Sequence, residues 1–511
     1  MPIPSALQLR TAMVALPHDV WVVVAQLLAP TDLRSLMGLN SSMLCLALKA
    51  SYQSVVFTSD DRRRNKRLCQ HMLEPGIAPH VREVTIRPWK VVKEWKKPTG
   101  IARVWDKTKA ICDPTYRSRT SATKVQKAVH KDIRNVMAAL ARCKGLRHYT
   151  IDWDGSPCQT EFFRAFTGPA LAEIAGSLTK LTLKVPITAL SRLAQVTNLY
   201  HLEELEVIFY VRDVATQDIE YHLEPFVVFV NNLPSLKSLS LTSTCKDVSL
   251  NLHRFFRHLG HIHGLRHVHL SIPFDGTHLS PPETFVGFLD SHRDTLKTLS
   301  LTTSRCSAYG SAHPETNMWI HKIIDSIGSE FRSLEHITLS LRPLGADLAP
   351  FIKLLQIHGE TLETIQFTDR ILAYQEVEIL FNITLLPRTA RFFAARAAQL
   401  RVDQLSPELL VLLARRLPNL RQLEVTFNTL IPRDLTAYNE PEGETLLRLH
   451  DRQEVDLFQF CQALRGHKEE MFSWQLEDLK LEKANSKLNS DLSNILVSML
   501  QECLPSRVVI A

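Results

Sequence analysis

The apolar positions of this chain fall into one recurring phrase. From Leu236 it reads LKSLSLTS, with apolar residues at the first, fourth and sixth places and polar ones between them. Its second half alternates with period 2, as a strand with one buried face does. The phrase returns from Val81, Leu146, Leu178, Leu202, Leu265, Leu296, Leu334, Leu362, Leu420 and Leu476, eleven copies in all. Between Leu146 and Leu362 consecutive copies lie 32, 24, 34, 29, 31, 38 and 28 residues apart, which is room for one strand and one helix each. Steps of 65, 58 and 56 residues follow Val81, Leu362 and Leu420. They leave space for degenerate copies, expected near Arg391 to Ala395 and near Glu444 to Leu449.

Stretches with helical apolar spacing separate the copies, among them Leu223 to Val230, Phe285 to Leu289, Leu348 to Leu355 and Leu409 to Leu417. The pattern is the grammar of leucine-rich repeats. It predicts an α/β fold, an irregular leucine-rich-repeat solenoid with parallel strands on one face and helices on the other, each repeat burying its apolar side on the next. An ordinary α/β domain would also scatter such phrases, so the pairing of the strands decides between the two. In a repeat array the residues between the inward ones line an exposed strand face. Here that face is polar, and the residues expected to meet a bound protein are Lys180, Lys184, Glu204, Glu206, Ser240, His267, His269, Ser300, Thr338, Gln366 and Glu424.

The N-terminal segment follows a different rule. From Val20 to Leu28 every position but Gln26 is apolar, which is wrong for a helix that covers one side of a small domain. A first helix is predicted from about Pro17 to Leu28. After a break at Pro30, a second capped by Thr31 carries Leu33, Leu36 and Leu39, and a third capped by Asn40 or Ser41 carries Met43, Leu44, Leu46, Ala47 and Leu48. Three short helices cannot hide this much apolar surface among themselves.

The order Leu16-Pro17, Asp19, then Val20, Val24, Leu27 and Leu28, then Pro30 with Asp32-Leu33, Leu36 and Leu39 resembles the F-box, the adaptor-binding module of cullin-RING ubiquitin ligase receptors. Many F-boxes carry Cys-x-x-Trp in the third helix, where this chain has Asn40 and Met43. An F-box followed by irregular leucine-rich repeats is the layout of F-box/leucine-rich-repeat proteins. The segment ending in Tyr52, Val55 and Phe57 is similar to many fungal members of that group. The resemblance implies a substrate receptor that docks on a Skp-family adaptor, and through it on cullin and RING subunits, while the repeats hold an unknown protein substrate. It places the adaptor contact on Leu16, Pro17, Val20, Trp21, Val24, Leu27, Leu28, Leu33, Leu36 and Met43. The implied layout is a tail over 1–13, the F-box over 14–58, a basic helical linker over 59–80, repeats over 81–500 with a basic insertion at about 87–122, and a C-terminal tail over 501–511. A repeat scaffold whose N-terminal helices merely cap the array is the alternative, and it predicts that residues 20 to 28 pack on the strand from Val81.

Charge changes the picture in one region. The chain carries a net charge of +7, yet between Arg87 and Arg134 fourteen Lys or Arg stand against four Asp or Glu, so the rest is mildly acidic. Trp89, Trp95 and Trp105 are interleaved with these charges. Such a mixture suits nucleic acid, an acidic protein partner or a packed insertion, and without a nucleic-acid-binding motif the first is ranked last. A second basic run, DRRRNKR from Asp61, reads as a solvated helix face. No stretch approaches the length of a membrane span, and the run from Val20 to Ala29 lacks the basic leader of a signal peptide. Nine cysteines with no CxxC pair suggest a reducing compartment, cytoplasmic or nuclear.

No phosphate-binding loop, nucleophile elbow or HExxH motif is present. Cys143, Cys158 and Cys306 are isolated thiols with no specific partner. His253, His258, His261, His263, His267 and His269 form the densest cluster, but no carboxylate or cysteine completes a metal set in sequence. The expectation is a non-catalytic protein with no metal, cofactor or membrane contact.

Overall fold

The computed structural model describes residues 17–58, 62–87, 127, 130–153, 160–196, 199–210, 216–243, 252–272, 282–303, 321–325, 327, 331–341, 347–381, 393–430, 459–484, 490–504 and 508–510. The chain divides into two compact units, one of residues 1–214 and 221–236, the other of residues 215–220 and 237–511.

In the first unit, α1 (His18–Gln26), α2 (Pro30–Ser35) and α3 (Ser41–Tyr52) precede a row of parallel strands. These are β1 (Ser54–Phe57), β2 (Glu83–Ile86), β3 (His148–Asp152), β4 (Lys180–Pro186) and β5 (Glu204–Tyr210), with the basic helix α4 (Arg62–Met72) between β1 and β2. Each strand pairs with the next in sequence, with Glu83 opposite His148, His148 opposite Lys180 and Lys180 opposite Glu204. Parallel neighbours require a crossover, and here a helix or loop supplies it each time.

The second unit holds β6 (Ser238–Ser243), β7 (His267–Ile272), β8 (Thr298–Thr303), β9 (His336–Ser340), β10 (Thr364–Thr368), β11 (Ala397–Leu405), β12 (Gln422–Leu430), β13 (Asp478–Lys483) and β14 (Val509–Ile510). All are parallel and paired in chain order, so an ordinary α/β domain with shuffled strands is ruled out and the fold is of the leucine-rich-repeat kind.

The first apolar residue of the phrase makes this register. Val81, Leu146, Leu178, Leu202, Leu236, Leu265, Leu296, Leu334, Leu362, Leu420 and Leu476 are all fully buried. The residue after it offers its carbonyl to two amides of the next repeat: Lys297 O accepts from Glu335 N and His336 N, both at 2.9 Å, and Arg396 O accepts from Arg421 N at 2.8 Å and Gln422 N at 3.0 Å. Where the turn before this leucine has an extra residue, a hydroxyl closes it, as when Thr295 Oγ1 donates to His292 O and Thr361 Oγ1 to His358 O.

The strand row extends past the expected repeat boundaries. Its first strand, β1, lies inside the span assigned to the F-box, and β14 lies in the expected C-terminal tail. Of the three long steps only one hides a repeat: β11, with Ala395 in the leucine place and fully buried, stands between β10 and β12. In the other two, β2 pairs directly with β3 and β12 with β13, so no strand intervenes. The stretch from Glu444 to Leu449 lies outside the described residues.

Two histidines are built into the turns of the second unit. His292 Nδ1 meets Phe288 O at 2.8 Å, so it carries the proton, and Nε2 accepts from Ile262 N at 2.9 Å. His358 Nε2 meets Ile327 O at 2.9 Å. Burial holds both imidazoles below their ordinary value of 6.5, that is, neutral in the folded state. Because the unfolded chain takes up these protons first, stability present above pH 6.5 is lost as pH falls from there toward the depressed values. The thermal midpoint should therefore fall between about pH 6.5 and 5, before most carboxylates titrate. A His292→Gln, His358→Gln double variant should be less stable at pH 8 but flatter across that window, and an unchanged slope would count against the assignment. A Leu334→Ala substitution should cost about 2–5 kcal/mol in denaturant melts.

Candidate functional site

Two surfaces are candidates, the N-terminal helices and the strand face. Asn40 caps α3 by accepting from Met43 N at 2.8 Å, as expected. The second helix starts one residue earlier than its expected cap, with Ala29 as the cap and Pro30 as first helical residue, a place where the missing N–H costs nothing. His18 Nδ1 lies 3.1 Å from Ser42 Oγ, and Arg34 Nε donates to Ser51 Oγ at 3.1 Å, tying α1 and α2 to opposite ends of α3.

The all-round apolar helix α1 resolves into two faces. Trp21 is buried with Leu33, Met43 and Ala47, and Val24, Ala25, Leu28, Met37 and Leu46 pack against that cluster. On the other side Val20, Val23 and Leu27, at i, i+3 and i+7, are 40 %, 56 % and 83 % exposed. Leu44 on α3 is exposed as well, and so is Pro17. Trp21, Leu33 and Met43 were expected among the contact residues, but they are spent on the helical core and support the face from behind. Val24, Leu28 and Leu36 are half-buried, and Leu16 lies outside the described residues. Val23 and Leu44, which the sequence reading did not place on the contact, are exposed beside them. Helical spacing was the available signal: once Trp21 is placed inward, Val20, Val23 and Leu27 fall together on the far side.

The strand face is a set of in-register polar columns. Lys180 Nζ pairs with Glu204 at 2.9 Å, and this hydrogen bond raises the lysine's pKa. Glu206 accepts from Thr182 at 3.1 Å. In the second unit His267 Nδ1 lies 2.9 Å from Thr298 Oγ1 and His269 Nδ1 lies 2.6 Å from Ser300 Oγ. Thr338 donates to Gln366 Oε1 at 3.0 Å, and Lys480 reaches Glu424 at 3.2 Å. Ser300 was expected to be exposed but is buried beside His269 on the neighbouring strand, and Thr182, Ser271 and Ser340 are buried as well. Ser240 and Lys184 are half-buried on their own strands. A depression of about 140 Å³ opens where Ala397 leaves a gap between Thr364 and Gln422, and it is walled by Gln366, Gln399, Glu424 and Lys480. Gln366 and Glu424 are the two expected substrate-facing residues that the fold brings to it.

The chemistry-bearing groups are otherwise occupied. Among the described residues no group of three or more His, Cys, Asp or Glu side chains could hold a metal ion. His261 stacks on the buried His292 with ring centroids 4.9 Å apart and lies 4.8 Å from His263. Cys143 is buried and its thiol pushed up to about 11, the opposite of an activated nucleophile. Cys158 and Cys306 lie outside the described residues. Among the described residues no helix is long and apolar enough to cross a membrane.

No protein-family model matches the chain, and no curated protein does. Among solved structures it is similar to the leucine-rich repeat-containing protein LegL7 from Legionella pneumophila, at 13 % identity and a TM-score of 0.33, over 55 % of this chain and 84 % of that one.

The division of α1 into two faces carries a direct expectation. Trp21→Ala should lower stability by about 3–5 kcal/mol, whereas Leu27→Ser should leave the melting transition within about 0.5 kcal/mol of the parent. Equal losses from both would show that Leu27 is not exposed.

Proposed function

We propose that this protein is the substrate-recognition subunit of a Skp-cullin-F-box type ubiquitin ligase. The observation that carries the reading is the exposed row Val20, Val23 and Leu27 on a helix whose other side already fills its own core. An uncovered Leu and two uncovered Val side chains at helical spacing are what a partner helix covers, and each is worth about 1.5–3 kcal/mol when fully buried. A capping helix would instead have turned this row onto the first strands. The order of the segments adds weight: helices with the F-box-like arrangement stand directly before a strand row of the leucine-rich-repeat kind. The repeats hold the target protein, and the polar columns of the strand face, with the depression over Ala397, are the surface for it. Transfer of ubiquitin is then driven by effective concentration near the charged enzyme on the RING subunit, and no side chain of this chain performs a chemical step.

The test is a pull-down of the full chain with a purified Skp-family adaptor. The parent should bind, and a Val23→Asp, Leu27→Asp double variant should bind about a hundredfold more weakly or not at all, since two carboxylates would be desolvated at the contact. Both substitutions sit on exposed positions, so the variant should melt like the parent. A folded parent that does not bind overturns the reading.

A further inference from the structure

A second surface of the first unit has no role in adaptor docking, and its charge is not balanced. The helix α4 buries Asn65, Cys69 and Met72 and turns Arg63, Lys66, Arg67 and Gln70 outward. The helix over 130–140 buries Val136, Ala139 and Leu140 and turns Lys131 and Arg134 outward, with Lys127 exposed one turn before them. Lys127, Lys131 and Arg134 stand at i, i+4 and i+7, one row on one helix face. The two helices are neighbours by construction. One follows β1 and the other precedes β3, and β1, β2 and β3 are paired in that order. Their proximity also shows in Cys69, whose thiol is pushed up to about 12 by burial and, secondly, by the carboxylate of Asp132 on the other helix.

The contrast with the second unit is sharp. There, neighbouring helices are laced by ion pairs: Lys322 to Glu283 at 2.9 Å, Lys353 to Asp325 at 3.0 Å, Arg415 to Glu470 at 2.6 Å. Among the described residues none of Arg63, Lys66, Arg67, Lys127, Lys131 and Arg134 makes an ion pair. The stretch 88–126 between the helices encodes no compensation, with ten Lys or Arg against three Asp or Glu. Like charges at helical spacing cost stability. A surface shaped for stability alone alternates its signs, as the second unit does.

We propose that α4 and the helix over 130–140 form a docking surface for an acidic helical segment of a partner protein. The axes of packed helices lie roughly 8–10 Å apart, so outward rows of cations on the two flank the groove in which one further helix can lie. Such a helix presents carboxylates on both flanks to the two rows. Leu73 is exposed and continues the Lys66 and Gln70 row at i+7, giving the partner an apolar contact that a phosphate backbone has no group to meet. Neither helix carries a Phe, Tyr or Trp ring for base stacking.

The experiment uses the full chain and a labelled peptide of about twenty residues, mostly Glu with Leu at helical spacing, alongside its Lys-for-Glu counterpart and a duplex DNA of mixed sequence. The acidic peptide should bind, bind more weakly as salt rises from about 0.05 to 0.5 M, and lose about tenfold in affinity in an Arg63→Glu, Lys66→Glu, Arg67→Glu variant and again in a Lys131→Glu, Arg134→Glu variant. A Leu73→Ser variant should weaken the peptide and leave any DNA binding unchanged. All substitutions are on exposed positions, and circular dichroism checks that each variant is folded. No binding at low salt, binding that survives both charge reversals, or DNA binding tighter than the peptide and equally sensitive to the reversals would each overturn the proposal.

Discussion

Each step of the strand rows hangs on one carbonyl group. It belongs to the residue just before the strand, which in the phrase is the one after the buried leucine and before β1 is Gln53, and up to Arg421 it accepts two adjacent amides from the repeat that follows, while Glu477 O takes Val509 N alone. The geometry is repeated from Gln53, which takes Arg82 N and Glu83 N, to Arg421, which takes Glu477 N and Asp478 N. A backbone group buried between repeats has no water to fall back on, so this pairing fixes the register before any side chain on the strand face is chosen. It explains why steps as different as 24 and 38 residues are tolerated. Insertions enter between strands and helices, while the leucine and the carbonyl beside it stay in line. The polar columns on the strand face are a consequence of that register, since in-register strands set like positions side by side.

The N-terminal helices obey a different constraint. Their core is small: Trp21, Leu33, Met43 and Ala47 with a ring of half-buried neighbours. A helix apolar on all sides can give only one side to such a core, and the structure gives it the Trp21 side. What is left over is not an accident of composition, because Val20, Val23 and Leu27 line up along the helix. On the proposed reading this surplus is what the segment contributes to binding.

The strand phrases were legible because each one must satisfy period 2 and a buried first residue at once, and eleven of the strands begin two residues after a quoted leucine or valine. The strands β1, β11 and β14 were less so. β11 uses Ala395 and Ala398 where its neighbours use larger side chains, and β14 is only two residues long. The inward and outward sides of α1 could not be separated by hydrophobicity, since both are apolar; only the position of the partner helices separates them. Burial of Ser300 was invisible for a related reason, as it depends on the residue one strand away. The pairing of surface charges is likewise a property of neighbouring repeats, which is why the unbalanced rows on α4 and the helix over 130–140 emerge only in three dimensions.

The central claim is that the far side of α1 is built to be covered. Amide hydrogen exchange of the full chain, alone and with a purified Skp-family adaptor, tests it most directly, because it reports where protection is gained. Slowed exchange confined to α1 and the start of α3, with the strand rows unchanged, is the predicted result. Exchange in α1 that stays the same when the adaptor is present, or protection that appears only on the strand face, would contradict the account.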